Sequence, residues 1–99
     1  MIRRRSRFRD TICRQLDLFA EDEANGLIAD VQEMKRLYDQ ADREDAEEAY
    51  GDYVDAIDAV KDALADMRDR FSATLDERGA EEYEPAFEET ARKRWRWLA

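Results

Sequence analysis

Carboxylates are the reactive groups this chain has in quantity: its 99 residues include 26 aspartates and glutamates, no histidine and one cysteine. Without histidine the usual general base near neutral pH is missing, and Ser–His and Cys–His nucleophilic arrangements are excluded. One cysteine and no histidine cannot build a tetrahedral zinc site. Three glycines, dispersed along the chain, form no phosphate-cradling loop. Magnesium or manganese held by carboxylate oxygens is the chemistry that remains. Two segments offer ligands close together: Glu21-Asp22-Glu23-Ala24-Asn25-Gly26 and Glu47-Glu48-Ala49-Tyr50-Gly51-Asp52.

Together these segments resemble the metal-binding motifs of all-α nucleotide pyrophosphohydrolases of the MazG type. In those enzymes Glu-x-x-Glu on one helix and Glu-x-x-Asp on the next gather magnesium over a nucleoside triphosphate. The resemblance implies magnesium-dependent hydrolysis, with Glu48 and Asp52 in the second motif. Glu48 and Asp52 stand one residue further apart than that motif, and Asn25 is nearest the place of the first motif's second glutamate. The sequence therefore assigns no catalytic, cofactor-binding or metal-binding residue. A magnesium-dependent pyrophosphohydrolase is the alternative to a non-catalytic protein.

The elements that would position these side chains are helices. Tyr50, Tyr53, Ile57, Val60, Leu64, Met67 and Phe71 recur in steps of three and four residues, the seam of a packed, coiled-coil-like helix. Upstream, Phe8, Ile12, Leu16 and Phe19 share one face, continued by Leu27, Val31, Met34 and Tyr38. Asn25-Gly26 interrupts this stretch, at a cost of about 1 kcal/mol for a helical glycine. The pattern predicts one helix over about 7–40. The rhythm lapses between Asp39 and Asp45, where Asp42 or Asp45 is placed to cap the next helix, Asp45 with Glu48 as a capping box. That second helix is expected over about 44–78, with Gly79 ending it in a left-handed conformation. The only proline, Pro85, suits the first turn of a third helix over about 82–98, striped by Phe87, Ala91, Trp95 and Leu98.

The expected fold is a single all-α domain. An antiparallel hairpin of two long helices carries a short C-terminal helix and is completed as a bundle by self-association. Two helices about 50 Å long present an apolar strip too narrow for a monomer core, which a second copy would cover. The expected oligomer interface is Leu27, Val31, Met34, Tyr38, Tyr50, Tyr53, Ile57, Val60, Leu64, Met67 and Phe71.

Charge is unevenly spread over a chain whose net is −9: residues 1–16 carry +5, residues 90–99 carry +4, and the middle carries −18. The mean field disfavours nucleic acid, while basic ends beside acidic helices favour contacts within the assembly. Arg3, Arg4, Arg5, Arg7 and Trp97 are the candidates for contact with another partner, Trp97 because a continuing helix would turn it away from the Trp95 stripe. A nucleic-acid-binding regulator using the basic ends is the third reading. Asp55, Asp58, Asp62, Asp66 and Asp69 follow one helical face, expected to be a solvated outer surface. Cys13 is expected to be a half-buried small hydrophobe without an internal disulfide, which fits a cytoplasmic protein. No apolar run reaches transmembrane length, and the basic start lacks the apolar core of a secretory signal. The function expected is a non-catalytic interaction or scaffold protein that forms a homodimer without a cofactor.

Overall fold

The computed structural model describes residues 7–22 and 26–98, and these are all helix and connection, with no strand among them. The helices are α1 (Arg9–Glu21), α2 (Leu27–Gln40), α3 (Ala46–Ser72) and α4 (Glu77–Arg94), followed by a 3₁₀ turn at Arg96–Leu98.

Where the apolar stripe predicts one helix over 7–40, the structure has two. Gly26 is the reason. It adopts φ 61°, a left-handed conformation that side-chain-bearing residues rarely enter, and becomes the N-cap of α2. Its carbonyl accepts the Asp30 N–H at 3.0 Å and so starts the new helix. Backbone freedom at this glycine, not its small propensity cost, decides the break.

The second boundary is capped differently from a capping box. Asp45 is the N-cap of α3 but its side chain makes no capping hydrogen bond; instead its N–H donates to Asp42 Oδ1 at 3.1 Å. Helix α3 stops at Ser72, six residues before the expected end at Arg78. Gly79 does not terminate it. Asp76 caps α4 by accepting the Gly79 N–H at 2.7 Å, so Gly79 lies buried in the first turn of the next helix. A Cβ there would stand 2.9 Å from Arg7 Nη2 and 3.0 Å from Asp76 Oδ1, so a larger residue would displace the Arg7 side chain and press on the cap.

Starting at Glu77 places Pro85 inside α4 rather than at its first turn. The missing N–H leaves the Glu81 carbonyl without its helical donor, on a face open to water. At the other end α4 stops at Arg94, because Trp95 takes an extended conformation (φ −124°, ψ 93°). The 3₁₀ turn then brings Trp97 back, its ring centroid 6.4 Å from Trp95, half-buried against the core. Trp97 therefore does not project away as a continuous helix would make it.

Pairs of contacts give the helix directions. Ser72 donates to Glu84 at 2.9 Å and Arg68 bridges to Glu88 at 2.5 Å, so α4 runs back along α3. Phe8 packs edge-on to Tyr83, and Phe19 to Trp95, so α1 accompanies α4 in the same direction. Helix α2 packs on the N-terminal part of α3 after a chain reversal at 41–45, with the Tyr38 ring 5.4 Å from Tyr50 and 6.2 Å from Tyr53. The fully enclosed side chains Ile12, Leu16, Val31, Val60, Tyr83 and Phe87 belong to one core cluster, to which all four helices contribute. No described helix is long and apolar enough to cross a membrane.

Candidate interaction surface

The molecule measures 50 × 34 × 22 Å with a radius of gyration of 16.1 Å. A compact chain of this length would have about 13 Å. The excess is explained by two unequal halves: a body in which α1, α4 and the end of α3 enclose one another, and an arm made of α2 and the start of α3.

The body is packed around aromatic edges. Tyr83 lies at its centre, fully enclosed, with Phe71 at 4.8 Å, Phe8 at 5.5 Å and Phe87 at 5.8 Å between ring centroids. Its hydroxyl donates to Gln15 Oε1 at 2.8 Å, and burial holds its pKa above the ordinary tyrosine value, partly offset by that hydrogen bond. Every fully buried side-chain polar atom described has a partner.

The arm is the half with unfinished packing. Val31 is its only residue of α2 in the buried core. Leu27, Met34, Tyr38, Tyr53 and Ile57 are half-buried, and Tyr50 is 52% exposed. Leu37, which the seam pattern omits, is 41% exposed. Of the eleven expected interface residues, Val31, Val60 and Leu64 are enclosed within the protomer itself, so they are not available to a second copy. Met67 and Phe71 are half-buried beside α1, where Leu18, also outside the expected stripe, is 59% exposed. Leu18 and Leu37 each sit one position from a stripe residue, and periodicity alone gave no reason to select them.

Polar groups on the arm are ordered by ion pairs along α2. Lys35 bonds both oxygens of Asp39 at 2.6 Å, which raises its pKa. Arg36 reaches Glu33 at 2.5 Å, holding that carboxyl below its usual range. Asp55, Asp58, Asp62, Asp66 and Asp69 are all exposed, and Asp66 pairs with Arg70 at 2.9 Å. Cys13 is half-buried and unpaired by any disulfide.

Glu48 and Asp52 are exposed and line a shallow groove with Met34 and Leu37 of α2, and Glu21 and Asp22 are exposed at the end of α1. Glu23, Ala24 and Asn25 of the first motif lie outside the described residues. Among the described residues, no three Asp, Glu or Cys side chains converge as a cation site.

Arg3, Arg4 and Arg5 lie outside the described residues. Arg7 pairs with Glu82 at 3.4 Å and stands 4.6 Å over the Phe8 ring. Arg94 pairs with Asp17 and covers the Trp95 ring at 5.0 Å. Both ends of the described chain thus hold a basic side chain against an acidic residue of a neighbouring helix. Comparison with models of known protein families, with curated proteins and with solved structures finds no match in any of the three.

Proposed function

We propose that this chain is a non-catalytic protein–protein interaction or scaffold protein that associates with a second copy of itself through the α2/α3 arm. The observation that carries this reading is the arm's half-covered apolar seam, from Leu27 and Met34 to Tyr50 and Ile57, with Leu37 exposed beside it. Two helices packed alone leave apolar area in water at about 25 cal/mol per Å², and pairing two such arms in a four-helix core removes it. Aromatic side chains at the rim of a seam suit this role, since tyrosine contributes large apolar area while its hydroxyl stays wet.

Sedimentation equilibrium of the wild type at micromolar concentration tests the proposal and should show a dimer. A folded monomer at every accessible concentration overturns it. The hydrolase alternative is separated by incubation with nucleoside triphosphates and magnesium or manganese, where no turnover above background is expected. Turnover abolished by Glu48→Gln or Asp52→Asn would establish the enzyme instead.

A further inference from the structure

Glu47, Tyr50, Val54, Ile57, Lys61, Leu64 and Arg68 advance along α3 in steps of three and four residues and keep to one side of the helix. The C-terminal part of this column is covered. Lys61, Leu64 and Arg68 line the groove beneath α4 and the 3₁₀ turn. Leu98 of the 3₁₀ turn lines this groove with Lys61, and the column continues along the arm as Ile57 and Val54, half-buried, and Tyr50, 52% exposed. Along the arm, then, no described helix takes the position that α4 fills in the body.

Opposite charges mark the two ends of that open stretch. At the arm's tip, residues 39–52 hold seven carboxylates against Arg43 alone, a net of −6. Where α4 ends, Lys93 pairs with Glu89 and Arg94 with Asp17. Arg92 and Arg96 there are exposed and have no ion-pair partner among the described residues.

Resting on the self-association proposed above, we infer that the open column takes the arm of a second copy laid antiparallel. Glu44 and Glu47 at its tip then face Arg92 and Arg96 of the partner subunit. A parallel pairing would set −6 beside −6. The antiparallel one brings each tip to a basic cluster, twice, by the two-fold symmetry of such a dimer. At about 1.5 Å per residue, the 14 residues of α2 give an arm about 21 Å long, so full overlap of two arms carries each tip to the end of the other's α4. Apolar contact supplies the association; the charges choose its direction.

The test is a charge swap read by sedimentation equilibrium at low salt, with circular dichroism recording helix content. Glu44→Lys with Glu47→Lys in one variant, and Arg92→Glu with Arg96→Glu in another, should each weaken self-association at least about tenfold, since each places like charges in contact twice. An equimolar mixture should recover to within roughly threefold of the wild type. In a parallel dimer the Arg92→Glu, Arg96→Glu variant would associate as the wild type does, and that result overturns the inference.

A second measurement serves if a reversed variant loses its helix content. On a Cys13→Ala background, Glu47→Cys mixed with Arg96→Cys should form a disulfide-linked pair on mild oxidation. Dimers linked through Glu47→Cys alone, tip to tip, overturn the antiparallel orientation while leaving self-association intact. A wild type that is monomeric throughout overturns both together.

Discussion

The body and the arm are built from one continuous apolar pattern on α3, yet they end in different states. In the body Leu64 is at 4% exposure, beneath Phe87, Ala91 and Leu98; in the arm Tyr50 reaches 52% on the same seam. Leu64 lies beneath α4 and the 3₁₀ turn, whereas Tyr50 lies beside Tyr38 of α2. Three helices can enclose a seam on all sides, while two leave each other's flanks in water. A hydrophobic period therefore states that a face is to be buried, and the count of neighbours decides whether the chain buries it alone.

The sharpest way to break this comparison is to truncate one apolar side chain in each half. Leu16→Ala, at a site with 0% exposure in the body, should cost about 2–5 kcal/mol in chemical denaturation followed by circular dichroism. Tyr50→Ala in the arm should cost the dilute monomer less, about 0.5–1.5 kcal/mol from its ring contact with Tyr38. Its effect should also appear in association, weakened about tenfold, or about 1.4 kcal/mol, in sedimentation equilibrium. Equal destabilisation of the monomer by the two substitutions would show that arm and body are energetically one unit.

Much of this architecture was legible in the residues. The stripes Phe8–Phe19, Leu27–Tyr38 and Tyr50–Phe71 each fall on a helix, because burial periodicity follows directly from helical geometry. What escaped was decided by single residues whose effect depends on conformation. Gly26 is tolerable in a helix and also free to leave it, and propensity cannot choose between these. Gly79 carried the signature of a helix end, but Asp76 three residues earlier was an equally good beginning, and the cap hydrogen bond settles it. Trp97 was placed by extending a helix that Trp95 ends. The candidate surface was read only in part. The pattern named the seam but could not say that Val31, Val60 and Leu64 are closed within the protomer, since that depends on where α1 and α4 lie.

A smaller effect sharpens the account of the body itself. Tyr83→Phe removes the hydrogen bond to Gln15 and should cost about 0.5–1.5 kcal/mol near neutral pH. The pH dependence has a definite sign. Burial raises the folded-state pKa of Tyr83 above the ordinary 10.0, so the folded chain keeps this proton where the unfolded chain releases it. The contribution is fully present below pH 10 and is lost as pH rises through the folded value. Stability of the wild type should therefore fall more steeply above pH 10 than that of Tyr83→Phe, measured by denaturant titration at matched salt. Identical slopes would mean that the phenol is as free to ionise in the folded body as in the unfolded chain.

The smallest expected effect lies where α1 meets the end of α4. Arg94 joins Asp17 across the two helices, with side-chain exposures of 36% and 57%, and its guanidinium also covers Trp95. Solvent reaches both charges, so the ion pair should contribute less than about 1 kcal/mol, screened over about 8 Å at physiological ionic strength. The stacking on Trp95 should add about 0.5–1 kcal/mol that salt affects less. Asp17→Asn removes only the pair, and Arg94→Gln removes both. In thermal melts the loss from Asp17→Asn should vanish as salt is raised, whereas part of the loss from Arg94→Gln should persist. Two losses that disappear together at high salt would leave the contact as an ion pair alone, and the body's edge would then be held by the Phe19–Trp95 rings without help from the cation.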